Sequence, residues 1–188
     1  DFAAFESDWT EFGSGFVKAK ALDDRAGCAV MLELLKEDLP MDCTFAFTVQ
    51  EEVGCRGAFG AAFSVNPEIA LVLETTTAAD LASTPGHKQV CTLGKGPVVP
   101  FMDGGSVADR GLFELMRDLA EENQIPWQTK HYIAGGNDAS VIQRNREGAR
   151  TIVVSAAVRY LHAPASVAHL GDFDHILNLA RLFIGAIA

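Results

Sequence analysis

The sequence predicts an α/β fold, a three-layer αβα sandwich built around a mixed, largely parallel sheet. Segments with the alternating pattern of a strand are followed along the chain by segments with helical spacing, as in α/β domains. One segment, Glu68–Glu74, is a nearly continuous apolar run, which is typical of a strand covered on both faces. At 188 residues the chain is long enough to form one such domain with its own core.

The first half of the chain supplies two helices and two strands in alternation. Apolar residues near helical spacing predict a helix at Asp24–Lys36. The segment Cys43–Gln50 alternates apolar residues with smaller or polar ones, which is the period of a strand with two unlike faces. A short helix around Ala58–Phe63 then leads to the apolar strand at Glu68–Glu74.

The second half continues the alternation after a stretch rich in Gly, Pro and Thr at residues 75–103. Its predicted elements, in order, are a short strand at Pro97–Phe101, an amphipathic helix at Val107–Glu122, a strand-like segment at Trp127–Ile133, a helix from Asp138, a strand at Thr151–Ala156 and a final helix at Phe173–Ile187. Ligands of such sheets collect at the carboxyl ends of the strands, so polar residues at those ends are the first candidates for a site.

The composition restricts the class of partner. The chain is 48% hydrophobic and 21% charged, with a formal net charge of −10. This acidic balance disfavours nucleic acid and an anionic membrane surface as partners. No run approaches the ~18 continuous apolar residues that span a bilayer. The cysteines lie at irregular spacings without a CxxC pair, so we expect free thiols in a reducing, cytoplasmic compartment.

Acidic residues stand at the ends of two predicted strands. The run TVQEEVG places Glu51 and Glu52 directly after the first strand, and Glu74 ends the second. Neighbouring carboxylates repel one another, so a site that gathers them usually contains a cation or separates their pKa values. One carboxylate can then bind a metal ion while another handles a proton. Taken alone, each of these acids is more often a solvent-facing residue of a turn or strand end.

Two further segments change that interpretation. KALDDRAG places Asp23 and Asp24 at the start of a helix, where aspartate is also a common N-cap. VRYLHAP places His162 in the loop after the strand Thr151–Ala156, although a lone loop histidine is usually not a ligand. Considered together, the candidate ligands are Asp23, Glu52, Glu74 and His162. They offer carboxylate oxygens and one imidazole nitrogen, a set of ligand atoms that suits a divalent ion such as zinc, cobalt or manganese.

At these residues the sequence resembles the co-catalytic metallo-aminopeptidases of metallopeptidase family forty-two. That family includes tetrahedral, glutamyl and deblocking aminopeptidases, some of them formerly labelled cellulases. The segments that carry the resemblance, in order, are KALDDRAG, TVQEEVGCRGA, LETTTAAD, LGKGP followed by Asp103, AGGNDAS and VRYLHAP. Each motif is moderately specific, whereas all of them in this order and spacing are highly specific. The resemblance implies a metal-dependent enzyme that removes N-terminal residues from peptides.

The resemblance also implies a role for each candidate residue. Asp23 would bridge two divalent metal ions, with zinc or cobalt expected and manganese as a further option. Glu52 and His162 would bind one ion, and Glu74 would bind the other. Glu51 would be the general base that takes a proton from the attacking water. The Asp23–Asp24 peptide bond is expected to be cis.

One motif of the family has no counterpart in this chain. Members carry an upstream His-x-Asp whose histidine binds the ion that Glu74 binds. We therefore expect residues 1–188 to be a catalytic metallopeptidase domain that lacks its N-terminal part and a small inserted β-domain. One metal site would have all its protein ligands and the other would lack one. The resemblance further implies a homo-oligomer built from dimers, up to a dodecamer.

Two alternatives from other functional classes stay open at this point. The missing ligand would suit a non-catalytic binding or assembly module that uses a catalytic type of fold. The paired acids and the old cellulase label would suit a glycosidase, in which two carboxylates flank the scissile bond. The glycosidase leaves Asp23 and His162 without a role, and sugar sites usually need more exposed aromatic residues than this chain offers.

Overall fold

The computed structural model of the protein describes residues 3–188, so the first two residues of the predicted domain lie outside the described residues. The strands are β1 (Thr10–Phe12), β2 (Phe16–Ala19), β3 (Ile69–Thr77), β4 (Arg150–Val158) and β5 (Ser166–His169). The helices are α1 (Leu22–Leu34), α2 (Arg56–Val65), α3 (Arg110–Glu122), α4 (Ala139–Ile142) and α5 (Leu170–Ile187), with a short 3-10 turn at Gly86–Lys88. None of the helices in this part of the chain has the length and apolar character needed to cross a bilayer.

Strands β3 and β4 form a parallel pair whose register runs from Ile69 opposite Arg150 to Thr77 opposite Val158. The predicted α/β class with parallel strands is therefore confirmed. The remaining strands form a separate antiparallel sheet in the order β1, β2, β5, which the sequence did not predict. Within residues 3–188 the parallel sheet has two strands, so the larger sheet of a three-layer sandwich stays a prediction.

The two faces of the parallel pair are covered by different helices because successive strand residues point to opposite sides. On one face, Leu73 of β3 and Val154 of β4 join the main core with buried residues of α1, α3 and α5. On the other face, Val72 and Val153 pack against Ala139 of α4. Strand β4 is buried at every position after its first, as expected for a strand enclosed on both sides.

Several predicted helices are confirmed with shifted ends. The helix predicted at Val107–Glu122 begins at Arg110, because the Asp109 carboxylate accepts a hydrogen bond from the Leu112 N–H, 3.0 Å away, and caps it. The final helix begins at Leu170, three residues before its predicted start at Phe173. Strand β3 continues to Thr77, so Glu74 lies inside the strand rather than at its end.

The strand predicted at Cys43–Gln50 is wrong. Among the described residues this segment has no ladder partner, although it has the alternation of a strand. It lies across a groove of about 860 Å³ from β3, so the two backbones are too far apart to pair. A segment becomes a strand of a sheet only where its backbone N–H and C=O groups form hydrogen bonds with a neighbouring backbone.

The strands predicted at Pro97–Phe101 and Trp127–Ile133 are also absent as strands. Val98 forms single bridges to Gln128 and to Ser155 without extending into a ladder. Pro97 and Pro100 lie within the first segment and Pro126 directly precedes the second, and proline has no N–H to donate to a neighbouring strand. The first segment is therefore held to β4 only at Val98, and the second is held to the first only at Gln128.

Candidate metal centre

The start of α1 directs two carboxylates away from the helix axis. Asp23 and Asp24 have non-helical backbone angles, and the peptide bond between them is cis, as the resemblance implied. The Asp24 carboxylate accepts a hydrogen bond from the Gly27 N–H at 2.9 Å and so caps the regular part of the helix. The Asp23 carboxylate makes no such cap and faces the loop after β4 instead.

Gly27 allows α1 to approach β3 closely enough to bring Asp24 beside Glu74. A Cβ at this position would lie 2.6 Å from the backbone oxygen of Leu73, which is closer than real side chains come to a backbone atom. It would also collide with the Asp24 carboxylate. The glycine of the DDRAG segment is therefore required by packing between the helix and the strand.

Three of the predicted residues meet in one group. The His162 Nε2 atom lies 3.1 Å from the Asp23 carboxylate and 3.2 Å from the Glu52 carboxylate. Their potential ligand atoms all lie within 4.8 Å of one another. The His162 and Glu52 side chains are 61% and 59% exposed, so this group opens to solvent, whereas Asp23 at 17% forms its inner wall.

Glu74 belongs to an adjoining group on the inner side. Its carboxylate and those of Asp23 and Asp24 lie within 4.8 Å of one another, so Asp23 is common to both groups. Burial, and then the Asp24 carboxylate, raise the pKa of Glu74 to about 10. Burial also raises the pKa of Asp24 to about 8, with the Gly27 N–H opposing the rise and Asp23 adding to it.

The donor set suits a divalent cation. Four carboxylates and one imidazole converge, and carboxylates that must share a partly buried site repel one another unless a positive charge lies between them. A bound cation would reverse the sign of the local field and favour the charged carboxylates. Oxygen donors with one nitrogen suit zinc, cobalt and manganese better than copper(I) or an iron–sulfur cluster.

Glu51 lies next to these groups with its own set of neighbours. Its carboxylate accepts a hydrogen bond from the Cys55 thiol at 3.6 Å, and Asp138 completes a cluster whose donor atoms lie within 4.8 Å. Burial, and then the Asp138 carboxylate, raise the pKa of Glu51 above its ordinary value. The Glu51 side chain therefore lies beside the two carboxylate groups that share Asp23 rather than within either of them.

Asp138 and Cys55 are neighbours of Glu51 that were not among the predicted catalytic and metal-binding residues, although Asp138 was expected either to shape the site or to cap the helix after it. Asp138 does not cap the helix that follows it; its Oδ2 atom accepts a hydrogen bond from the Thr48 hydroxyl. Its Oδ1 atom is buried without a hydrogen-bond partner. The AGGNDAS motif singled out this aspartate, but its contact with the segment before Glu51 is long-range and has no local signal.

The sequence pattern of the family described as M42 glutamyl aminopeptidase matches residues 1–179. Lysyl aminopeptidase of Pyrococcus furiosus is 32% identical, over 96% of this chain and 51% of its own length. The structure of aminopeptidase APDkam598 from the archaeon Desulfurococcus kamchatkensis superposes with a TM-score of 0.90 at 35% identity, covering 94% of this chain and 51% of that one.

The Pyrococcus horikoshii TET1 peptidase, described as assembling into a tetrahedron or a large octahedral shell, superposes with a TM-score of 0.77 at 29% identity. That match covers 93% of this chain and 52% of the TET1 chain. The chain thus spans about half the length of the proteins it matches. The comparisons favour neither the non-catalytic module nor the glycosidase.

Proposed function

The chain belongs to the M42 glutamyl aminopeptidase family, and from that premise we propose that it carries the reaction centre of a metal-dependent aminopeptidase. The substrate would be a peptide with a free N-terminus, and the reaction would remove its first residue by hydrolysis. The observation that carries this proposal is the meeting of Asp23, Glu52 and His162 within 4.8 Å, with Glu74 in an adjoining group that shares Asp23.

The residues divide naturally between two ions. Glu52 and His162 would hold one divalent ion, Glu74 would hold a second, and Asp23 lies where it can contact both. Zinc or cobalt fits this donor set, and manganese is a third option. When bound, such ions supply Lewis acidity for the scissile carbonyl and for water. The close approach of the carboxylates supports this assignment.

Glu51 is proposed as the general base. It lies next to the ion-binding groups, and its carboxylate is held by the Cys55 thiol rather than by a cation of the protein. A carboxylate in this place can take the proton of the attacking water and later deliver it to the leaving amine. One residue then serves both proton transfers of the hydrolysis.

We further propose that residues 1–188 are part of a catalytic domain whose sheet contains additional strands. The groove of about 860 Å³ between β3 and the segment at residues 41–48 supports this, because both walls are apolar and helices close its two sides. Among the described residues β3 pairs only with β4, so its other edge is free to accept a strand. The N-terminal part of the domain and the small β-domain would complete the protein.

The assembly of the protein is proposed from the same resemblance, and its location from the cysteines. A homo-oligomer built from dimers is proposed, supported by the TET1 peptidase that assembles into closed shells. The four cysteines are free, as is usual in the reducing cytoplasm, and we place the protein there.

Hydrolysis of an aminoacyl-anilide panel tests the proposal. The chain alone would be compared with a longer version that adds the upstream His-x-Asp expected from the resemblance, each with cobalt, zinc or a chelator. We expect the longer version to cleave substrates with a free amine, to lose activity with chelator and to spare N-acetylated substrates. The chain alone should be a poor catalyst, because Glu74 would share its ion with no histidine. Peptide-substrate cleavage that chelator does not inhibit, or cleavage of a cellulosic substrate instead, would refute the proposal.

A further inference from the structure

The loop that carries His162 is closed at its base by Arg159. This residue directly follows β4 and exchanges two backbone hydrogen bonds with Val167, at 2.9 and 3.1 Å. Between these two residues, Tyr160 and His162 both have left-handed backbone angles, with φ of 58° and 61°. Left-handed conformations of residues other than glycine persist only where surrounding contacts impose them.

Packing of the imidazole itself cannot impose this conformation, because the His162 side chain is 61% exposed. Within the loop the Ala163 N–H donates to the Tyr160 carbonyl at 3.0 Å, and the Ser166 hydroxyl of β5 donates to the same carbonyl at 3.3 Å. Leu161 also packs against a buried core cluster. The position of His162 relative to Asp23 therefore depends on these contacts and on what holds the loop base.

The Arg159 side chain holds the loop base. Its guanidinium donates to both carboxylate oxygens of Asp80, with Nε at 2.6 Å and Nη2 at 2.8 Å. Two parallel hydrogen bonds fix the direction of the arginine as well as its distance. The Asp80 side chain is only 4% exposed and also accepts the Leu93 N–H at 3.1 Å, so the carboxylate is itself held firmly.

The pair joins the exits of the two parallel strands. Asp80 follows β3, which carries Glu74, and Arg159 directly follows β4, which leads to His162. We propose that the Asp80–Arg159 pair is a positioning device that keeps His162 against Asp23 and Glu52 so that the three can share one divalent ion. This inference rests on the proposed metal centre and adds the residues that keep it assembled.

A second arginine–aspartate pair on the same strand provides a matched control. Arg150 begins β4 and donates to both carboxylate oxygens of Asp109, at 3.1 and 3.0 Å. It thus has the same bidentate chemistry at the opposite end of the strand, away from His162. Loss of either pair removes an ion pair, but only loss of the pair at Arg159 should disturb the metal site.

The experiment measures the affinity of the metal-free chain for cobalt by calorimetry, together with the visible spectrum of the bound ion and the thermal midpoint of the metal-free protein. The variants are Arg159→Lys, Asp80→Asn, Arg150→Lys and His162→Ala. Arg159→Lys keeps the charge and loses the bidentate geometry. We expect Arg159→Lys and Asp80→Asn each to weaken cobalt binding about tenfold or more, as substitutions behind a metal ligand do, and to alter the spectrum. Arg150→Lys should leave both unchanged.

The outcomes separate this inference from the proposed function. If His162→Ala weakens cobalt binding while Arg159→Lys and Asp80→Asn bind as tightly as the wild type, the positioning role is overturned and the metal centre stands. If His162→Ala binds as tightly as the wild type, the metal centre itself is wrong and the inference is overturned with it. Equal weakening by Arg150→Lys and Arg159→Lys would show a general stability effect and would also overturn it.

Discussion

The His162 imidazole lies 3.1 Å from the Asp23 carboxylate, although the two residues stand near opposite ends of the chain. Asp23 is placed by the non-helical start of α1, and His162 by a loop that begins where β4 ends. Two separate elements of the fold therefore bring an acid and an imidazole together. Their meeting is the geometric basis of the proposed metal centre.

Replacing Glu51 with Gln should separate proton transfer from metal binding. The amide keeps the size of the side chain but cannot accept the water proton, so we expect turnover by the longer protein to fall roughly 10²–10⁴-fold. Cobalt affinity should stay at the wild-type level, because Glu51 belongs to neither of the two proposed ion-binding groups. Glu68→Gln, at an exposed glutamate before β3, is the control and should leave turnover unchanged. Wild-type turnover by Glu51→Gln would assign the base to another residue.

Replacing Asp80 with Asn should lower the free energy of unfolding in a pH-dependent way. Burial would raise the pKa of Asp80, but Arg159 and the Leu93 N–H outweigh it and hold the pKa below its ordinary value. The charged carboxylate therefore stabilises the fold above the unfolded-chain pKa of about 3.9, and this contribution is lost as pH falls through the lower folded value.

In urea denaturation at pH 7 we expect Asp80→Asn to cost about 2 kcal/mol, the scale of a hydrogen bond to a charged group. The difference from the wild type should shrink as the pH falls below about 4. Asp118→Asn removes the partner of Arg117 in an exposed pair and should leave the free energy of unfolding nearly unchanged. A cost for Asp80→Asn that does not change with pH would contradict the assigned role of the charge.

Gly27 should tolerate no side chain. A methyl group there would press on the Leu73 backbone and on Asp24, so Gly27→Ala should lower the free energy of unfolding by about 1–3 kcal/mol, as overpacking does. The same substitution at Gly185 of α5 meets no atom within 4 Å and should stabilise the helix, because alanine has the higher helix propensity. If thermal denaturation shows both variants to be stabilised, the close approach of α1 to β3 is wrong.

The helices and the parallel strands could be predicted from the sequence because their signals are local. The apolar run at Glu68–Glu74 and the periodicity of α3 and α5 identify elements whose type does not depend on a distant partner. The segment Cys43–Gln50 shows the opposite case. It has the alternation of a strand, but pairing requires a neighbouring backbone, and a groove lies where that neighbour would be.

The candidate site was predictable in its residues but less so in its arrangement. The resemblance singled out Asp23 and His162, and the chain brings them together. Two contacts join residues that are far apart in sequence: Thr48 with Asp138, and Asp80 with Arg159. No periodicity or spacing in the sequence predicts either of them. Such contacts depend on which segments the complete fold brings side by side, and only the folded chain defines that.

The proposed metal centre requires that Asp23, Glu52 and His162 bind one divalent ion. Anomalous diffraction from crystals grown with zinc, recorded above and below the zinc absorption edge, locates such an ion. We expect a peak bounded by the Asp23 and Glu52 carboxylates and the His162 Nε2 atom, at about 2.0–2.2 Å from each. A zinc peak elsewhere, or none between these three residues at saturating zinc, would show that they do not form the site.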